Sequence, residues 1–168
     1  MGTGWFAVSE RVALQFFLEQ LRDVIDPEEP PADQLLYNAS LLAHFATTST
    51  SSIDTFPPAP ASLGTVFDLY VLDHSGHDAP DIMEAAAAQC LVLTGFFHAQ
   101  QRRRHQVAWY AQLGAAFYAR ASARQGDKPR ARLLASMARR FEFWRHHQHR
   151  LAVELREQAL PLVGRQAS

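Results

Sequence analysis

With 168 residues, of which 48% are apolar and 20% charged, the chain is long enough for one globular domain with a sizeable core. Glu10, Arg11 and Glu19 interrupt the N-terminal stretch, and the longest uncharged apolar run, Ala85 to Phe97, has 13 residues where a membrane span needs roughly 20; neither a signal peptide nor a membrane anchor is expected. The formal net charge of −1 hides a division, because residues 1–100 hold two arginines against 13 acids, whereas residues 101–168 hold 14 basic residues against four acids. Halves so opposed call for an electrostatic counterpart, either each other within one fold, a second subunit or nucleic acid. The single cysteine, Cys90, lies inside the apolar run with no flanking cation. It reads as a core residue in a reducing, cytoplasmic protein.

Helical periodicity dominates the chain. Ser9 is placed to cap a first helix in which Leu14, Phe17, Leu18, Leu21 and Ile25 share one face, and Asp26-Pro27 ends it. Asp33 is placed to cap a second, with Leu35, Ala39 and Leu42 on one face and Leu41 and Phe45 beside it. Residues 47–62, TTSTSSIDTFPPAPAS, read as a long Ser/Thr/Pro loop. Beyond Ser62, the spacing of Leu63, Val66, Phe67, Tyr70 and Val71 predicts a third helix, although the β-branched residues leave a strand open. Asp78-Ala79-Pro80-Asp81 opens a fourth, running through EAAAAQCLVLTGFFHA to a polar elbow, QQRRR.

The fifth helix carries the stripe Val107, Tyr110, Gly114, Phe117, Tyr118 and Ala121, and Gly126-Asp127 breaks it. Pro129 suits the first turn of a long last helix reaching Pro161. In that helix Leu134, Met137, Phe141, Trp144, Gln148, Leu151 and Leu155 keep a seven-residue rhythm, and 161–168 form a tail. The expected fold is all-α, a single-domain bundle of five to six helices over 1–168 with a long C-terminal helix.

Few constellations carry chemistry. Glu142, His146 and His149 share one side of the last helix and are metal-ligand types, but they lie farthest from its apolar seam and read as solvated surface. The loop DHSGHD offers His74, His77 and Asp78 as a catalytic or metal-binding loop beside Ser75; the plainer reading is a turn bent at Gly76 with Asp78 capping the next helix. The sequence has no Gly-x-Ser-x-Gly elbow, Glu-x-x-His pair, phosphate-binding Gly loop or Cys-x-x-Cys, so no metal or cofactor is expected. Arg102, Arg103 and Arg104 in the elbow, with Arg145, are candidate contacts to a partner. Gly95, Tyr110, Gly114 and Tyr118, with His98 and His105, are candidates for a ligand pocket where missing side chains leave room. The same glycines would equally serve close packing of a helical hairpin. Arg139, Arg140, Phe143, Arg145 and Arg150 interleave cations with a ring as nucleic-acid binders do, but the neighbouring Phe141 and Trp144 belong to the seam.

CLVLTGFF, the elbow, and VAWYAQLGAAFYARAS together resemble a pattern of uncharacterised helical proteins of proteobacteria, approximately L-x-L-S-G-F-F, an elbow, then V-x-Y-Y-x-x-M-G-x-x-A-Y. The matching positions are Gly95, Phe96, Phe97, Val107, Tyr110, Gly114 and Tyr118. Thr94, Trp109 and Leu113 replace the serine, first tyrosine and methionine, and Ala116 lies one place earlier than the pattern's alanine. The resemblance covers about a fifth of the chain. It implies a helical hairpin and no activity, cofactor or site residue. The expectation is a non-catalytic, cytoplasmic bacterial binding protein, regulatory or adaptor in kind, acting through protein contacts or self-association. The alternatives are a small-ligand or metal-dependent enzyme built on His74, His77 and Asp78, and nucleic-acid binding through the basic C-terminal half.

Overall fold

In a computed structural model, which describes residues 4–25, 30–48, 66–101 and 106–166 and the side chains within 11–25, 30–47, 66–101 and 106–158, the apolar run around Cys90 becomes the central helix. Met83 and every residue from Ala85 to Thr94 are buried. A helix that is apolar all round can be stable only when neighbours cover each side, and the four alanines 85–88 let those neighbours approach closely.

The described residues form six α-helices, of which the central one is α3: α1 (Gly4–Ile25), α2 (Ala32–Thr48), α3 (Pro80–Thr94), α4 (Val107–Arg124), α5 (Lys128–Arg139) and α6 (Phe141–Gln166). The described residues contain no strand, so the all-α bundle expected from the periodicity is the fold. The most extensive pairings are α3 with α4, α4 with α5, and α1 with α2, while α6 lies against α1 and α3. Trp144, Tyr118, Phe45, Leu21, Met83, Leu91, Leu134, Met137 and Leu151 are the largest fully buried side chains, and they come from all six helices.

Several elements differ from the sequence expectation. The first helix begins at Gly4, ahead of Ser9. Ser62 and residues 49–62 of the Ser/Thr/Pro loop lie outside the described residues, whereas Thr47 and Thr48 still belong to α2. The third element is wound as a π-helix over Phe67–Leu72, with Tyr70 buried. α3 stops at Thr94, short of the Phe96-Phe97 pair, and a 3-10 turn follows at His98–Gln100. The expected run from Pro129 divides at Arg140, whose φ of −106° and ψ of 22° leave the helical range. The seven-residue seam nevertheless crosses that break: Leu134, Met137, Phe141, Trp144, Gln148 and Leu151 are all buried, and Leu155 is half-buried. The backbone of α6 continues through Pro161 to Gln166.

Polar side chains inside the bundle tie α2 to α6. Trp144 Nε1 donates to Gln34 Oε1 at 3.0 Å, and Gln148 Nε2 donates to Asn38 Oδ1 at 2.9 Å. Asn38 Nδ2 in turn donates to the Gln34 carbonyl at 2.9 Å, one helical turn back. A buried bond of this kind contributes about 1 kcal/mol net, but loss of one partner strands the other and costs about 1–3 kcal/mol.

One close helix contact depends on a missing side chain. A Cβ on Gly114 of α4 would stand 2.6 Å from Phe141 Cζ and 2.7 Å from Cys90 Cβ. Gly114→Ala should therefore destabilise the protein by about 1–3 kcal/mol through overpacking, even though alanine is the better helix former. Urea denaturation monitored by tryptophan fluorescence measures this, and an unchanged or raised midpoint contradicts it.

Candidate functional site

Of the expected partner contacts, Arg102, Arg103 and Arg104 lie outside the described residues, as does His105. Arg145 is engaged within α6, where Nη2 meets Glu142 Oε2 at 2.8 Å and Nη1 reaches the Thr94 carbonyl at 3.4 Å. It fastens the end of α3 to α6.

The other expected pocket residues are dispersed through the packing. At Gly95, where α3 ends, an added Cβ would meet the Arg145 carbonyl at 3.0 Å and Gln148 Cβ at 3.1 Å, so the glycine seats α3 against the α6 backbone. Tyr110 is buried on α4. His98 faces His149 across ring centroids 4.9 Å apart. The His149 pKa is pulled down by burial and then by the nearby His146, Arg145 and Arg156.

The loop between the π-helix and α3 is tightly tied. His77 Nε2 lies 2.6 Å from the Tyr70 carbonyl, and its ring meets that of His74 at 4.6 Å. Arg120 Nε donates to the His77 carbonyl at 2.7 Å. Asp78 pairs with Arg124 at 2.9 Å and Arg120 at 3.7 Å. His74, His77 and Asp78 are thus brought together, but as a clasp onto α4. Among the described residues, no group of three His, Cys, Asp or Glu side chains is arranged to hold a metal ion.

A cleft of about 630 Å³ opens elsewhere, between α2, α3 and α5. Its apolar wall is Leu36, Leu41, Ala85, Ala88 and Leu133, and its polar groups include Asp33, Asp81, Glu84, Arg130 and Tyr37. The Arg130 guanidinium makes a two-point pairing with the Glu84 carboxylate, through Nη2 to Oε2 and through Nε to Oε1 at 3.3 Å. It also lies over the Tyr37 ring, 5.4 Å from the centroid. The Tyr37 hydroxyl is 3.0 Å from Glu84 Oε2 and 3.2 Å from the Tyr118 hydroxyl. Each phenol has one proton, so Tyr37 donates to the carboxylate and Tyr118 donates to Tyr37. Burial, above all else, pushes both phenols well above the usual tyrosine range. They are proton holders and not bases.

No protein-family model, curated protein or solved structure matches this chain. Within the described residues, no helix is long and apolar enough to cross a membrane.

Sequence reasoning found Tyr118 and missed Tyr37, Glu84 and Arg130. The available signal was Glu84 itself, a carboxylate at the head of a run that is otherwise uncharged for 13 residues. Its partners lie 46 and 47 positions away, beyond the reach of any periodicity.

Two outcomes follow from the burial of these groups. Tyrosine in an unfolded chain ionises near pH 10, and both native phenols hold their protons longer. The stability these phenols contribute is therefore fully present below about pH 10 and is lost as pH rises beyond it. Tyr118→Phe should cost about 1 kcal/mol at neutral pH and flatten that alkaline fall. Urea titrations across a pH series test this, and parallel alkaline limbs in the two proteins contradict it. Burial also pushes the Cys90 thiol up to about 12. The folded protein should resist alkylation at pH 8 and react fully in denaturant; rapid labelling of the native state would show that Cys90 is not sealed.

Proposed function

We propose that this chain is a non-catalytic, cytoplasmic bacterial binding protein that acts by holding a protein partner. The carrying observation is the cleft between α2, α3 and α5, whose apolar wall extends to the surface at Leu36, a leucine that remains 48% exposed. Such a side chain at the edge of a preformed hollow is the arrangement that a partner's apolar groups complete. Three polar groups of the cleft support a holding role, because Tyr37 and Arg130 are both bound to Glu84. The buried Cys90, consistent with a reducing compartment, supports the cytoplasmic assignment.

The test is a photo-cross-linking benzoylphenylalanine placed at position 36, with the same residue at exposed position 112 on α4 as the control. Irradiation in cells should give a protein adduct from position 36 that mass spectrometry assigns to one partner species, and no such adduct from 112. Equal adducts at both positions, or none at 36, would remove the protein-binding reading. Adducts at 36 with small metabolites alone would replace it with ligand binding, which a hollow of this volume also suits.

A further inference from the structure

We infer that the segment held in the cleft is an amphipathic helix carrying lysine or arginine beside its apolar face, an inference that rests on the protein-binding reading above. Charge selects the sign of the partner. The guanidinium in the wall, Arg130, is already paired with Glu84, so its charge is locally cancelled, and the other basic side chain lining the hollow is the imidazole of His44. Asp33 and Asp81 line the same hollow, and neither has an ion-pair partner among the described residues. Their native contacts are local: the Asp33 carboxylate accepts the Gln34 amide at 2.9 Å, and both acids lie in the first turns of their helices. Two carboxylates at the edge of an apolar hollow attract a cationic flank and repel phosphates and acidic segments.

Backbone chemistry selects the shape. The walls are helices whose N–H and C=O groups are bonded along their own axes, with no sheet edge among the described residues to receive an extended strand. A helix satisfies its own backbone and needs no such edge. Its apolar side chains at i, i+3 and i+4 would lie on Leu36 and Leu133, above the buried Leu41, Ala85 and Ala88 at the floor of the hollow, in the helix-in-groove manner. The basic groups beside them would then face Asp33 and Asp81.

The experiment titrates the isotope-labelled full chain with two synthetic helical peptides that share one leucine and alanine face. They differ only in having lysine or glutamate on the flanks. The lysine peptide should shift the amide resonances of Leu36, Leu41, Ala85, Ala88 and Leu133, and bind at least about tenfold more tightly than the glutamate peptide at low salt. The Asp33→Asn/Asp81→Asn double variant should lose most of that preference while keeping its own fold, because both positions are exposed. Leu36→Ser should weaken both peptides. Equal affinity for the two peptides, a preference that survives in the double variant, or no shift at millimolar peptide would overturn the inference. If position 36 still cross-links one protein in that event, the cationic helix falls and the protein-binding reading stands; if cross-linking fails as well, both fall.

Discussion

The bundle depends on how one carboxylate is satisfied. Glu84 begins the part of α3 that is buried all round, and its side chain keeps only 16% of its surface exposed. An acid so placed loses hydration that must be replaced by hydrogen bonds and countercharge. Arg130 from α5 supplies the countercharge, Tyr37 from α2 supplies a proton, and Tyr118 from α4 steadies Tyr37. Side chains of α2 and α5 thus meet on one group of α3, and α4 joins them through Tyr37. The same Tyr37, Glu84 and Arg130 side chains line the cleft between α2, α3 and α5.

Elsewhere along α3 the constraint is steric. Gly114 lets α4 press its backbone toward Cys90 and the Phe141 ring, and Gly95 lets α3 end against α6. Both glycines belong to the hairpin pattern read from the sequence, and both act by bringing helices together. The opposed charge of the two halves is also partly resolved inside the fold. Asp78 joins Arg120 and Arg124, and Glu84 joins Arg130, each pair uniting the acidic N-terminal half with the basic C-terminal half. Exposed pairs such as those at Asp78 contribute little to stability. Their more definite effect is to close the loop over α4, together with the hydrogen bond from Arg120 to the His77 carbonyl.

The parts of this architecture that were legible in the sequence are those set by local period. The seam from Leu134 to Leu151 was read residue by residue and is buried as expected, and even Gln148 is inside, bonded to Asn38. The break at Arg140 was not legible, since neither glycine nor proline marks it. The stop at Thr94 was hidden for a related reason: apolar residues continue through Phe96 and Phe97, and periodicity cannot show where a helix stops when its continuation is equally apolar. Gly95 carried the signal, but it was read as a gap within a helix. The candidate site was the least legible element. Tyr37 and Glu84 are 47 positions apart and Glu84 and Arg130 are 46 apart, so only tertiary packing brings them together.

Rigidity links this packing to binding. A hollow whose wall side chains are fixed by neighbours costs little to order when a partner arrives, and more of the contact energy then appears as affinity. Tyr37 and Arg130 are fixed in this sense, because each touches Glu84 and Arg130 also lies over the Tyr37 ring. Leu36 differs. It projects from the same helix one residue before Tyr37, yet nearly half its surface meets water. α2 therefore closes the core through Asn38 and borders the cleft through Tyr37, Leu41 and, at the rim, Leu36. The interactions that stabilise the bundle thereby position an apolar group that the bundle itself does not bury, and covering that group is the free-energy gain left for a partner.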